Sequence, residues 1–524
     1  MDNNHDSNYL LTSEFFLYPQ KMHVIAKLTE TSIIITRKNG KPESQVEVIN
    51  LKDVTGCHVS EGNCSTPAKW HLCVFVYPLK KKLLKGQIRQ RISRSLGAGG
   101  SKTEEENKLT TTTWKRAIKH LITGRCVNHA EVNNLPDLEC RNLVVYINPF
   151  SGQGKAMQIY KKHVKKMFAE AEIKHTVVKT EYAGHARHLA RDLNLASCDG
   201  IVIVSGDGLI HEVVNGLMDR NDWKIAIQTP IGIVPGGSGN ALAAAIVYAS
   251  TGQHASLDLV TDSMFEIIKG RSRDLSLVYI QSQSSFYFSF LNVGWGFVAD
   301  VDIESEKFRG LGNARFTLGC AVRIASYRKY HGMVSYLPLE KSGIINNGSK
   351  TQTTIGTSFK TKTLAETNWN NSSSAGIRSE ESGYFSSKNT KIFHISSSLH
   401  ESLPNEWKSI EEEFVWVMPV YLSHVGQDMF MMPNAKLDED VIYLYCLKSG
   451  VGRAQLLNIL LNIADGTHLN ISSENTLVVP CRAFRLEPFT NKTGLLTVDG
   501  EAVSYEPIQA TVTPIKSRIM CSSC

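Results

Sequence analysis

No stretch of the 524-residue chain approaches the roughly 18 consecutive apolar residues that a membrane-spanning helix needs. The opening residues, MDNNHDSNYL, are polar and lack the basic and apolar regions of a secretory signal. Closely spaced cysteines are nearly absent. Eleven are scattered singly, Cys57 and Cys64 stand too far apart for a zinc knuckle, and the pair Cys521 and Cys524 has no second pair to complete a site. These absences predict free thiols in a reducing, cytoplasmic setting. Charge of one sign is also in short supply: 57 Lys plus Arg against 50 Asp plus Glu leaves +7, which permits an anionic partner without requiring nucleic acid. No internal repeat suggests a solenoid. What remains is ordinary globular composition, 42% hydrophobic and 20% charged, at a length that suits about three domains.

Residues 1–138 read as a first, β-rich unit. MHVIAKL, SIIITRKNGKP, SQVEVINL and WHLCVFVYPL are short strand-like runs, and Asn39-Gly40 is a two-residue hairpin signal. Residues 80–94 then hold seven basic side chains and no acidic one. That run reads either as a solvated flexible loop or as a contact for anionic lipid, each basic residue near such a surface being worth about 1 kcal/mol. The unit closes with TTTWKRAIKHLI, a helix with Trp114, Ile118 and Leu121 on one face. Strands followed by one tryptophan-bearing helix resemble a pleckstrin-homology domain.

Residues 139–268 repeat one pattern, in which an apolar strand runs into a glycine-rich turn and then an amphipathic helix. LVVYIN leads to PFSGQGKA, IVIV to SGDG, and IGIV to PGGSGN. Alternating strands and helices predict a mainly parallel sheet covered on both faces. Residues 269–340 and 404–515 are strand-rich, with one apolar helix, AQLLNILLNIA. Between them, residues 341–403 read as a disordered polar insertion, since 29 of residues 341–390 are Ser, Thr, Asn or Gly and cannot bury enough apolar surface to offset chain entropy.

The chemistry lies in the three turns. A glycine turn between strand and helix offers converging backbone N–H groups at a helix start, with no Cβ to keep a phosphate away. One such turn is an ordinary connection; three in consecutive units converge on one crevice at the strand ends. The established phosphate signatures do not fit. Pro149 stands where a Walker loop needs its first glycine, Ala156 follows Lys155 where a magnesium-binding hydroxyl is required, and no turn completes GxGxxG. Asp207 lies between two glycines of the second turn. A carboxylate beside phosphates calls for a metal, a proton or a hydroxyl, so Asp207 is a candidate to accept a proton from an attacking hydroxyl. Glu212, farther along the next helix, either orients groups on the same side or caps.

The strings SGDGLIHEVVNGLMDRNDW and PGGSGNALAAA resemble the sphingosine kinases, a branch of the diacylglycerol-kinase-like lipid kinases. So do NPFSGQGKA, TEYAGHARHLAR, WGFVADVDIESEKFRGLGNARFTLG and LLTVDGE, in the family's order. The resemblance implies an α/β nucleotide-binding domain plus a β-sandwich domain, with the site between them, preceded here by the small β-rich pleckstrin-homology-like unit. It implies transfer of the ATP γ-phosphate, with Mg2+, to the primary hydroxyl of sphingosine, and peripheral residence at a membrane surface where that lipid is found.

Carried over by position, the resemblance places nucleotide contacts at Asn148, Pro149, Phe150 and Gly152, at Thr180, Glu181, Tyr182, Ala183 and Gly184, at Glu212, and at Gly237, Ser238 and Gly239. Arg309 and Arg315 are to meet the phosphates, and Asp499, Gly500 and Glu501 to close the nucleotide site, with Asp499 a candidate magnesium contact. Asp207 is the implied general base. Ser205, Gly206, Asp207 and Gly208 are to border the substrate, and Asp302 is to read its head group. An ammonium beside the reacting hydroxyl suits a carboxylate. Strand alternation would put Asp300 and Asp302 on one face. Phe297 and Phe316 are candidate walls for the alkyl chain, or else plain core. Gly236 departs from the alanine of many relatives, while Phe150 and Ser151 fill variable positions. A kinase for ceramide or diacylglycerol and a silent lipid-binding adaptor are the alternatives left open.

Overall fold

The computed structural model describes residues 9–38, 45–62, 68–82, 86–99, 103–312, 314–339, 399, 401–471, 474–489 and 494–522. The polar insertion and the Asn39-Gly40 turn therefore lie outside the described residues, apart from Leu399 and residues 401–403.

Alternating burial builds the first unit. Strands β1 (Leu11–Tyr18), β2 (Met22–Leu28), β3 (Ser32–Arg37), β4 (Gln45–Asn50), β5 (Val54–Glu61) and β6 (Trp70–Val76) lead to the hairpin β7 (Leu79–Lys82) and β8 (Gly86–Arg89), then β9 (Ile92–Ala98). All but the hairpin form one antiparallel sheet in the order β4-β3-β2-β1-β9-β6-β5. Helix α1 (Glu104–Ile122) starts at a capping box, in which the Thr103 side chain and Glu106 satisfy each other's backbone N–H groups. Trp114, Ala117 and Ile118 of α1 are buried against the sheet; the Trp114 ring meets Phe15 edge-on at 5.4 Å.

The basic run is not a solvated loop: its described residues run through β7, β8 and the start of β9. Arg89 is buried against the next domain, its guanidinium 3.5 Å from the Phe265 ring and 3.3 Å from Asp262. Arg91 pairs with Glu170 and Arg94 with Glu47. Lys80, Lys81 and Lys82 are exposed. Arg89 and Arg91 thus dock the unit onto the next domain, while Arg94 pairs within its own sheet.

Strand β10 (Asn142–Ile147) leads through the broken helical segment α2 (Ser151–Gly154), α3 (Ala156–Ile159) and α4 (Lys165–Ala171) to β11 (Lys174–Lys179). There follow α5 (His185–Arg191), β12 (Gly200–Ser205), α6 (Asp207–Met218), α7 (Trp223–Ala226), β13 (Ile231–Pro235), α8 (Ala241–Thr251) and α9 (Leu259–Lys269). The four strands are parallel in the order β11-β10-β12-β13. Every residue of β12 and β13 is buried, as a sheet covered on both faces requires. Ile201 and Ile203 enter one core, Val202 and Val204 the core on the opposite face.

The remaining strands are β14 (Ser272–Ser282), β15 (Phe286–Ser289), β16 (Val293–Gly296), β17 (Tyr330–Pro338), β18 (Lys408–Val420), β19 (Ile442–Lys448), β20 (Thr476–Pro488), β21 (Leu496–Val498), β22 (Glu501–Val503) and β23 (Ile508–Met520). They pair antiparallel around a core that includes Trp295, Phe414 and Phe484. Helices α10 (Phe297–Glu304), α11 (Ala314–Ala325) and α12 (Arg453–Asn462) lie with them. Strand β23 runs past residue 515 and ends beside β13, Ile519 opposite Ile231, so the parallel and antiparallel strands form one continuous sheet.

The stretch read as a strand through residue 302 corrects the expectation for its aspartates. Gly296 turns at φ +82° and the chain enters α10. Residues two apart on a helix point to nearly opposite sides. Asp300 is buried against Tyr330, Arg323 and Arg328, while Asp302 faces elsewhere.

Candidate active site

The three glycine turns lie at the carboxyl ends of adjacent strands β10, β12 and β13, and their backbones touch. A Cβ on Gly152 would stand 2.1 Å from the Gly236 carbonyl oxygen, and one on Gly237 2.4 Å from the Gly206 Cα. Gly152 also holds φ +48°, a left-handed conformation that side chains resist. Ser151 Oγ accepts from the Gly206 N–H at 3.2 Å, and the Gly236 N–H donates to the Ser205 carbonyl at 2.9 Å. No turn can shift alone. Helices α6 and α8 begin at the second and third turns, so two positive helix ends meet at this seam.

Asp207 is the first residue of α6 and is buried there. Its carboxylate accepts from the Ala241 N–H at 2.9 Å and the Leu242 N–H at 3.1 Å, capping α8. Burial raises its carboxyl above the usual carboxylate range; the two N–H bonds pull it back, and the charge of Asp499 adds to the rise. The side chain therefore fixes one helix start to the next and retains an elevated affinity for a proton.

The first turn carries an Asn148 side chain that accepts from the Phe150 N–H at 2.9 Å, and it leaves Phe150 71% exposed. Residues 180–184 run beside it after β11, where the Thr180 N–H donates to the Ile147 carbonyl at 2.9 Å. The Tyr182 ring is exposed and stacks on His185 at 4.5 Å. Glu212 accepts from the Gly184 and Ala186 N–H groups, both at 3.0 Å. It caps α5 and ties that segment to α6, so its carboxylate positions the backbone.

The β-rich domain closes over these turns. Gln153 donates to the Gly310 carbonyl at 2.9 Å, and the Gln427 N–H donates to the Gly239 carbonyl at 2.7 Å. Asp302 stands beside the Asp499-Gly500 turn, where a Cβ on Gly500 would lie 3.4 Å from its Oδ2. Its carboxyl is pushed up to about 7, by burial first, against the pull of Arg315 and with help from Glu306, Glu501 and Asp207. Arg315 is 3.6 Å from Asp302 and also pairs with Glu306. Glu501 sits directly over Gly208, with its Oε1 1.9 Å from where a Cβ would be. Phe297 is buried in the apolar cluster behind Asp302, and Phe316 packs on the same cluster under the Arg315 guanidinium at 4.3 Å. Arg309 falls in the turn of residues 305–311, its side chain outside the described residues.

Asp499 is placed differently from a metal contact. It accepts from Ser289 Oγ at 2.6 Å, from the Phe290, Leu291 and Asn292 N–H groups at 3.3, 2.9 and 3.2 Å, and pairs with His211 Nδ1 at 2.8 Å. A carboxylate offers about four lone-pair sites, so five neighbours leave none for magnesium. It anchors the turn that presents Glu501. His211, one helical turn after Asp207, went unrecognised in the sequence although its spacing places it on that face of α6. Gln153 and Gln427 were also missed, and nothing local in sequence marks them.

A family model described as diacylglycerol kinase catalytic domain matches residues 142–279. Human sphingosine kinase 2 is 32% identical over 97% of this chain and 90% of its own length. Human sphingosine kinase 1 is 38% identical over 72% of this chain and 89% of its own, and Arabidopsis thaliana sphingosine kinase 1 is 34% identical over 70% and 69%. Among solved structures, a putative diacylglycerol kinase from Bacillus anthracis aligns at TM-score 0.46 and 16% identity, over 74% of this chain and 98% of that one.

Proposed function

Because the chain belongs to the sphingosine kinase family, we propose that it transfers the γ-phosphoryl group of ATP to the primary hydroxyl of a sphingoid base, giving sphingosine 1-phosphate, with Asp207 as general base. The observation that carries this reading is the direct backbone contact among the three glycine turns, with Asp207 at their seam and Asp302 within electrostatic reach of it.

The cradle suits a nucleotide's phosphates: glycine backbone at the surface, and two helix starts aimed into it. Phosphoryl transfer needs positioning and charge stabilisation more than covalent chemistry. Magnesium bound with ATP would neutralise charge on the phosphate oxygens, and Glu501, whose carboxylate oxygens carry no hydrogen bond among the described residues, suits it better than Asp499 does. Asn148 through Phe150 and Thr180 through Gly184 hold the nucleotide, the latter kept in place by Glu212. Arg315, fixed by Glu306, turns its positive charge toward the phosphates. Asp207 takes the proton of the attacking hydroxyl as its oxygen bonds to the γ-phosphorus and the bond from that phosphorus to the β,γ-bridging oxygen breaks, releasing ADP. Asp302 holds the neighbouring ammonium, which restores its negative form. The cluster of Phe297 and Phe316 receives the alkyl chain at about 0.8 kcal/mol per buried methylene.

The ranges 1–138, 139–268 and 269–340 with 404–515 serve as the units of this reading. Seven antiparallel strands closed by the Trp114 helix support a pleckstrin-homology-like first unit. No helix among the described residues is long and apolar enough to cross a membrane; peripheral contact from the cytoplasm is proposed because the acceptor is a membrane lipid. The test is a panel of lipid alcohols with labelled ATP. Sphingosine should accept phosphate far better than ceramide or diacylglycerol, and preference for a lipid without an ammonium would overturn the substrate assignment.

A further inference from the structure

A crevice of about 550 Å³ lies at the junction of the N-terminal unit and the α/β domain, where the end of α1, residues 136–141, the start of β5 and the end of α9 meet. Its wall carries Lys119, Arg125, Arg141, Lys269 and Arg271, against three carboxylates. Two of those are already engaged: Glu172 by Lys115 and Lys119, and Asp137 by Arg116 at 2.7 Å. Of the wall's own carboxylates, Glu139 remains against Arg125, Arg141, Lys269 and Arg271.

The two inner cations are held by backbone, not by acids. Arg141 donates to the Ile267 and Ile268 carbonyls at 3.1 and 2.6 Å, and Lys269 to the Leu51 and Val54 carbonyls at 3.3 and 2.7 Å. A guanidinium has five N–H groups and an ammonium three, so each is oriented yet keeps donors to spare. Burial pushes Lys269 down to about 8, eased by Asp53 and reinforced by Arg89 and Arg271; burial also lowers Arg141. Arg125 and Arg271 stand exposed at the mouth, the latter against Gly124 at the end of α1. Asp199 near Arg141 and Asp53 and Glu266 near Lys269 offset only part of the cost of burial, and a bound anion would lower it further.

We propose that this crevice binds a phosphorylated anion, gripped by Arg125, Arg141, Lys269 and Arg271 between the N-terminal unit and the α/β domain. The ligand carries two or more negative charges, as a free polyphosphate or a phosphorylated inositol head group does. Binding ties the two units together, since the donors come from both sides of their junction.

The experiment uses the full chain saturated with a non-hydrolysable ATP analogue, so that the kinase cleft is filled. Inorganic pyrophosphate and inositol bisphosphate are titrated by calorimetry, and sedimentation is measured with vesicles of phosphatidylcholine with and without a phosphoinositide. Binding of a soluble anion, weakened about tenfold or more by Arg125→Gln or Arg271→Gln with sphingosine phosphorylation unchanged, supports the site. Vesicle binding that the same substitutions abolish assigns a head group; its absence alongside binding of the soluble anions assigns a free phosphate. Parent and both variants binding equally, or no binding by any probe, overturns the proposal and leaves the kinase reading intact.

Discussion

Replacing Gly152 by alanine tests the cradle at its tightest point. The added Cβ would stand 2.1 Å from the Gly236 carbonyl oxygen, about 1.3 Å short of an ordinary contact at 3.4 Å. One turn must move, or the strand ends must part. Overpacking of this kind costs about 1–3 kcal/mol, and alanine at φ +48° adds about 1–2 kcal/mol. A displacement near 1 Å in a site that aligns two reactants costs about 100-fold in rate. Gly154→Ala is the internal control: it has φ +72° but its Cβ would meet nothing closer than the Pro149 oxygen at 3.8 Å. It should lose stability by the backbone term alone and keep most of its activity. The assay is steady-state phosphorylation with ATP varied, beside thermal unfolding of both variants. Equal kcat/KM for ATP in Gly152→Ala and Gly154→Ala would refute the claim that contact between the first and third turns builds the nucleotide site.

Other outcomes follow from the same geometry. Asp302→Asn should raise KM for sphingosine at least tenfold while leaving KM for ATP nearly unchanged, because one charge-assisted contact is worth about 1.5–3 kcal/mol. With the Asp302 carboxyl at about 7, the free enzyme should lose sphingosine affinity as pH falls through that value, a limb that Asp302→Asn should lack. The stability sign is opposite: a raised acid favours the protonated fold, so its contribution is full below the ordinary carboxylate range and is lost as pH rises toward 7, visible as a flatter pH dependence of unfolding in Asp302→Asn. Asp499→Asn should destabilise by about 3 kcal/mol or more by breaking a buried, fully bonded carboxylate, seen in denaturant unfolding, and metal titration should show no direct ligand lost. Arg89→Ala leaves Asp262 buried without its cation and should cost about 3–5 kcal/mol, with faster proteolysis between the N-terminal unit and the α/β domain as its signature.

Much of the site was legible in the sequence because its chemistry is local. Each glycine turn sits between a strand and a helix within a few residues, and convergence follows from their being neighbours in a parallel sheet. Trp114 and the core face of α1 follow from helical spacing in the same way. What escaped depends on partners distant in the chain. Arg89 reads as solvated until Asp262 and Phe265 arrive from the next domain. Asp499 reads as a metal contact until the loop of residues 289–292 and His211 fill its oxygens. The segment after Trp295 alternates apolar and polar residues, which suits a strand as well as a helix, and only the turn at Gly296 decides. Strand β23 returns to β13 across 288 residues, Ile231 to Ile519, a pairing that no local pattern announces.

The central claim is that Asp207 removes the hydroxyl proton at the seam of the three turns. It is tested most directly by single-turnover transfer from labelled ATP to sphingosine with Asp207→Asn, alongside equilibrium binding of an ATP analogue to the same protein. The account predicts that transfer falls by about 100-fold to 10,000-fold while the analogue still binds. Transfer at the parent's rate would contradict it.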